Sequence, residues 1–324
     1  MARYARIDRT GGPEVISWHD EDLTPPGVGE VRMRHTAVGL NYIDTYHRCG
    51  VYPVDLPARL GAEAAGVVEA VGDGVEEFAP GMRVGTFGPA RGAYATARNL
   101  PAAQLIALPD DVDDRTAAAI LLKGCTAEML VERCARVQPG QAALVWAAAG
   151  GVGHLLVGWL KAVGAIVIGV AGGSDKVASV LAAGADHVID HRAEDVAARV
   201  REITDGQGVR VVLDGVGMAS WHASLKSASR RGLIVSYGNA GGAVAGIGLG
   251  TLASHGSLFV SRPTLFDYYV TPDERRAGVD RLFAMLRQGA IRPDIGQTFP
   301  LEGAADAHRA IEAGDTRGST LLIP

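Results

Sequence analysis

Residues Leu144–Gly153 read LVWAAAGGVG and run into the apolar pattern LLVGWLKAVGA, Leu155–Ala165. Leu144, Val145 and Trp146 supply a short buried strand. Gly150, Gly151 and Gly153 then remove the Cβ atoms that would hold a pyrophosphate away from the backbone. A helix starting at this turn aims its N-terminus at the phosphates. A second strand, Ala165–Val170, arrives one helix later, the spacing of a βαβ nucleotide-binding unit. The first glycine of the usual G-x-G-x-x-G is here Ala148, so the turn alone is a weak signal. Context strengthens it, because further strand-like runs follow at His187–Asp190, Val209–Leu213, Leu233–Ser236 and Ser257–Val260, mostly separated by helical patterns. That alternation predicts an α/β fold: a doubly wound, mostly parallel sheet whose ligands sit beyond the carboxyl ends of its strands.

The end of the second strand selects the cofactor. An NAD site places an acidic residue about 20 positions after the glycines to hold the ribose hydroxyls. Val170, Ala171, Gly172 and Gly173 stand there instead, followed by Ser174 and Lys176, and the next strand ends on His191 and Arg192. These are donors suited to a ribose 2′-phosphate, which favours NADPH over NADH. The alternative is that Ser174 only caps a helix, with Lys176 solvated.

The first 120 or so residues carry period-two runs such as VRMRHTAVG and GVVEAVG, broken by PPGVGE, DGV and APGMRV. They read as strands joined by glycine and proline turns, hence an antiparallel, barrel-like domain. A helix from about Asp273 to Arg287 and a last strand Ser319–Ile323 are expected to return to it. The predicted boundaries are residues 1–120 plus 262–324 for this domain and 121–261 for the nucleotide domain, which is an insertion.

A length of 324 residues exceeds one typical core. The net charge of −5 disfavours nucleic acid or an anionic membrane as the main partner. The N-terminal MARYARIDRTGG has no apolar signal region and no run of about 18 apolar residues occurs, so a cytoplasmic protein is expected. Cys49, Cys125 and Cys134 are odd in number, lack C-x-x-C spacing and lie in apolar surroundings, which predicts reduced thiols.

NYIDTYHRCGVYP (Asn41–Pro53), GAEAAGVVEAVGDGV (Gly61–Val75), AAAGGVG (Ala147–Gly153), VSYGNAGG (Val235–Gly242) and the GSTLLIP tail resemble the zinc-independent quinone oxidoreductases. These form the zeta-crystallin-like branch of the medium-chain dehydrogenase/reductases, and the resemblance runs in unbroken order from Ile7 to Pro324. It implies a GroES-like catalytic domain carrying an inserted Rossmann domain, NADPH in the interdomain cleft, and a homodimer. Zinc-dependent relatives place a cysteine near Asn41 and a histidine before Glu63, where this chain has Ala62. No four-cysteine cluster follows, so no zinc site is expected. Without a metal to polarise a carbonyl, the substrate must already be electrophilic: a quinone or an α,β-unsaturated carbonyl.

The resemblance carries Asn41, Tyr46 and Tyr52 onto the residues lining the nicotinamide and quinone pocket. An amide or phenol there can donate to a developing oxyanion, and a ring can stack on a planar quinone. Their other reading is ordinary: the tyrosines pack and Asn41 holds a turn. Gly150, Gly151, Val152 and Gly153 are expected at the pyrophosphate, Ser174, Lys176 and His191 at the 2′-phosphate. Tyr237, Gly238, Asn239 and Arg262 are expected near the nicotinamide half. Lys123 either reaches the cofactor or is a solvated lysine. Asp44 reads as structural rather than acid-base, no partner carboxylate or histidine being identifiable beside it. Gly158, Met129 and His191 depart from the family pattern on the cofactor side. The rival enzyme reading is a 2-alkenal or enone reductase; the rival from another class is an NADPH-binding structural or RNA-binding protein, which the acidic charge does not favour.

Overall fold

The structure is a computed structural model and describes all residues, Met1–Pro324. The chain divides into two compact units, 1–123 with 293–324, and 124–292.

The first unit opens with β1 (Ala2–Ile7), β2 (Ser17–Glu21) and β3 (Glu30–Leu40), followed by the short helix α1 (Tyr42–Cys49). Then come β4 (Ala58–Arg59), β5 (Glu63–Val71), β6 (Arg83–Phe87), β7 (Ala97–Pro101) and β8 (Leu105–Ala107), and α2 (Asp114–Glu128) begins in this unit and continues past Lys123 into the second. Alternate residues of β3, Val31, Met33 and His35, are buried, the two-residue period expected of a half-buried strand. Strand β3 pairs antiparallel with β5 and β7, and β5 pairs antiparallel with β6. Ile7, Val31, Met33, Leu40, Leu60 and Tyr94 anchor the core between them.

The second unit contains β9 (Ala142–Val145), α3 (Gly151–Ala162), β10 (Ile166–Ala171), α4 (Ser174–Ala182) and β11 (His187–Asp190). It continues with α5 (Val196–Ile203), β12 (Val209–Asp214), α6 (Met218–Ser227), β13 (Ala228–Ser236), α7 (Leu249–Ser254), β14 (Phe259–Ser261) and α8 (Pro272–Arg287). Its sheet runs β11-β10-β9-β12-β13-β14 with every pairing parallel. Helices cover the central strands, which accordingly read as continuous buried runs, Val167–Ala171 among them. The chain then returns to the first unit through β15 (Ile295–Pro300), α9 (Ala304–Ala313) and β16 (Ser319–Ile323), and β16 pairs antiparallel with β3.

The six parallel strands fall where the sequence predicts them, but the domain boundary does not. Residues 262–292, assigned by sequence to the catalytic domain, group with the nucleotide unit. Close packing is the reason. A Cβ on Gly124 of α2 would lie 2.3 Å from Leu282 of α8, and one on Gly158 of α3 would lie 2.6 Å from the Ala290 carbonyl. Arg281 adds an ion pair to Glu132 at 2.8 Å. Gly158 is therefore a glycine because a neighbouring backbone approaches it, which offsets its cost in a helix interior. The cysteines are free, yet Cys49 is exposed rather than held in apolar surroundings.

Candidate functional site

In the second unit the glycine turn behaves as the sequence predicts, with one addition. Gly150 caps α3, and Gly151, Val152 and Gly153 form its first turn. A Cβ on Gly153 would lie 2.2 Å from the Ala147 carbonyl oxygen, so the turn closes only without one. Ala147 itself takes φ 51°, a left-handed conformation that a non-glycine residue adopts at a cost. The backbone is bent tightly enough to leave the first N–H groups of α3 free for an anion.

At the end of β10, a Cβ on Gly172 would meet His191 Nε2 at 2.6 Å and Arg192 Nε at 2.9 Å. Both basic side chains thus lie over the glycines. Asp190, at the end of β11, is engaged by the backbone: it accepts from Arg192 N at 3.0 Å and Gly173 N at 3.1 Å, and these bonds hold it below its ordinary range. Ser174 is the first residue of α4 and Gly173 its cap, so the capping alternative for Ser174 is not realised. Lys176 lies in the same first turn. Tyr237, Gly238 and Asn239 follow β13, and Arg262, just past β14, donates to the Ser236 and Gly238 carbonyls at 2.7 and 3.1 Å. All these residues gather at the carboxyl ends of parallel strands of one sheet.

The first unit holds the second cluster. Asn41 and Asp44 form the capping box of α1, with Asn41 N donating to Asp44 Oδ2 at 2.9 Å. The helix then presents Tyr42 and Tyr46 with ring centroids 5.4 Å apart, and Tyr52 lies edge-on to Tyr46 at 5.1 Å. Tyr52 N donates to the Tyr46 carbonyl, which fastens the loop to the helix.

Asn41 is not the free donor that the sequence suggested. Its Nδ2 donates to Glu63 Oε2 at 2.8 Å and to the Gly39 carbonyl at 3.3 Å, which uses both amide hydrogens. Lys123 is not solvated either. Its Nζ donates to the same Glu63 Oε2 at 2.9 Å, with side chains 5% and 0% exposed. Leu122 N donates to Glu63 Oε1 at 2.7 Å. Gly39 makes room for this carboxylate, since a Cβ there would lie 2.4 Å from Oε2.

Asp44 has the histidine neighbour, through a tyrosine, that the sequence did not reveal. Arg48 donates to His308 Nδ1 at 3.2 Å, and because arginine is always a donor the His308 proton sits on Nε2. That N–H donates to Tyr94 Oη at 2.9 Å, and Tyr94 O–H donates to Asp44 Oδ2 at 3.1 Å. Burial dominates and pushes the Asp44 carboxyl up to about 7, while His308 is pushed down to about 3 for the same reason. Tyr94 and His308 come from segments far from Asn41 and carry no motif, so only the fold brings them together.

A GroES-like barrel interrupted by a doubly wound nucleotide unit is the architecture of medium-chain dehydrogenase/reductases. The alcohol dehydrogenase GroES-like domain matches residues 27–110, and a family described as zinc-binding dehydrogenase matches 183–322. A quinone oxidoreductase of Pseudomonas aeruginosa is 44% identical over the full length of both chains. The Escherichia coli quinone oxidoreductase solved in complex with NADPH superimposes with a TM-score of 0.97 at 42% identity, over 99% of this chain and 100% of that one. A 2-haloacrylate reductase from a Burkholderia species is 40% identical across 100% of this chain and 99% of its own. The chain belongs to the zinc-independent quinone oxidoreductases of the medium-chain superfamily.

Zinc does not fit the donor set. Ala62 precedes Glu63, the Glu63 carboxylate is taken by an ammonium, an amide and a backbone N–H, and no group of three or more His, Cys, Asp or Glu converges. A dinucleotide phosphate fits the second unit: the glycine turn and the basic pair over Gly172 match its pyrophosphate and 2′-phosphate.

Proposed function

We propose that this protein is an NADPH-dependent quinone reductase. The observation that carries the reading is the His191–Arg192 pair gathered over Gly172 and Gly173, where an NAD-selective site needs a free carboxylate. Gly150, Gly151, Val152 and Gly153 would hold the pyrophosphate, Ser174, Lys176 and His191 the 2′-phosphate, and Tyr237, Gly238, Asn239 and Arg262 the nicotinamide half. When bound, NADPH supplies a hydride with its electron pair. Tyr46 and Tyr52 offer aromatic surface to a planar ring, and the protein contributes orientation and hydrogen bonding rather than a metal. Asn41 acts by fixing Glu63, and Tyr46 and Tyr52 contribute through their rings.

The test is loss of NADPH absorbance by chelator-treated protein with matched panels of quinones and 2-alkenals, with NADH as control. NADPH-preferring turnover of quinones is expected. The 2-haloacrylate reductase relative makes activated alkenes the second reading, and turnover confined to them would replace the first.

We also propose a homodimer. Strand β14 is the sheet edge, and Phe259, Val260 and Leu249 stand 59%, 41% and 84% exposed near it. An unpaired apolar edge invites strand pairing across a twofold axis. Sedimentation at micromolar concentration would give twice the chain mass. No helix is long and apolar enough to cross a membrane. With three free cysteines this supports a cytoplasmic location, which cell fractionation checks.

A further inference from the structure

Neither the ring ladder of α1 nor the nucleotide turn explains why a lysine is buried on a fully buried carboxylate. Glu63 receives three donors, from Asn41 Nδ2, Leu122 N and Lys123 Nζ, at 2.8, 2.7 and 2.9 Å. Three donors hold the carboxylate in place and orient whatever it binds. An ammonium has three N–H groups. Lys123 uses one on Glu63, which leaves two, and its side chain keeps a 5% opening while Glu63 keeps none. The amide of Asn41 has no hydrogen left to give. Lys123 and Asn41 meet on one oxygen, and Tyr46 lies five residues beyond the Asn41 cap in α1, an axial rise of about 7.5 Å.

The geometry points to Lys123 as the catalytic proton donor: its ammonium, aimed by Glu63, donates to the substrate oxygen that gains charge during reduction. This deepens the proposed function and rests on it. In a two-electron reduction the C–H bond of NADPH that carries the hydride would break and an O–H bond would form at one quinone oxygen, while the electron pair passes through the conjugated ring and leaves the negative charge on the other oxygen. One Nζ–H bond of Lys123 breaks and an O–H bond forms at that oxygen. The resulting neutral amine recovers its proton from solvent, so the sum is quinone, NADPH and a proton to quinol and NADP⁺. Glu63 and Asn41 are positioning residues, because they act through Lys123.

Removing the lysine alone would strand a buried carboxylate, so the variant to make is Lys123→Ala with Glu63→Gln, beside the single Lys123→Arg. NADPH affinity, read by nucleotide fluorescence, should stay within twofold in both, while kcat falls about a hundredfold with little change in KM. Added methylammonium or ethylammonium should restore part of the rate of the double variant. Arginine keeps the charge and the pairing but does not give up a proton, so Lys123→Arg should remain slow and lose the solvent isotope effect on kcat. Unchanged kcat in the double variant would overturn the assignment. So would a rate loss that tracks weakened NADPH binding and ignores added amine, which would make Lys123 a cofactor contact. Wild-type protein that turns over no quinone with NADPH would instead overturn the functional reading beneath it.

Discussion

The glycine turn of the second unit and the Glu63 cluster of the first are both built for polar ligands, by opposite means. The turn uses consecutive, uncharged residues, Ala147–Gly153, and its specificity lies in missing Cβ atoms. The cluster uses charged side chains from distant segments, Asn41, Glu63 and Lys123, with a glycine only to make room. A backbone site is sensitive to added volume and indifferent to charge. A buried ion pair has the reverse sensitivity, because each member left alone is an unsolvated charge.

Glu63→Ala tests that contrast with the largest expected effect. It leaves the Lys123 ammonium and the Asn41 amide buried without their acceptor, which costs roughly 3–5 kcal/mol of folding stability. Denaturant unfolding measures it, and a loss below about 1 kcal/mol would break the comparison.

The buried groups of the first unit also make stability depend on pH. Asp44, raised from 3.8 to about 7 by burial, binds its proton more tightly folded than unfolded. Its contribution is therefore fully present below 3.8 and lost as pH rises through about 7. His35 and His308, lowered by burial from 6.5 to about 3, contribute stability above 6.5 that is lost as pH falls through about 3. Relative to wild type, Asp44→Asn should gain stability between pH 4 and about 7 in unfolding experiments and level off above. A constant offset across that range would remove Asp44 from the account.

In the second unit, replacing His191 and Arg192 together by alanine should weaken NADPH by roughly 1.5–3 kcal/mol, the worth of hydrogen bonds to a charged group, and leave NADH unchanged. Equal losses for both nucleotides would move the 2′-phosphate elsewhere. Gly153→Ala pushes a Cβ against the Ala147 carbonyl, an overpacking cost of about 1–3 kcal/mol, seen as weaker NADPH binding at unchanged net charge. Smallest and of opposite sign is Ala147→Gly, which relieves a φ of 51° and should stabilise the fold by about 1 kcal/mol in thermal unfolding.

The reach of sequence reading follows the same division. The strand order of the nucleotide unit, its glycine turn and the last strand Ser319–Ile323 are local patterns, each readable from neighbours in the chain. Residues 262–292 defeated that reading because their allegiance depends on Gly124 meeting Leu282 of α8 and Gly158 meeting Ala290 beyond it, each more than a hundred residues away. Asn41 and Lys123 are legible in the sequence only as polar candidates, and their partners are not: the amide is consumed by Glu63 and Gly39, and the lysine is buried on the same carboxylate.

The sequence by itself determined the two-unit α/β architecture, the dinucleotide turn and the family, because period, glycine spacing and motif order act over a few residues at a time. Only the tertiary structure decided that Glu63 fixes Lys123, and that Arg48, His308 and Tyr94 reach Asp44. Those contacts are made by side chains of separate elements, and burial, which sets their charge and their hydrogen-bond direction, exists only once those elements have packed around them.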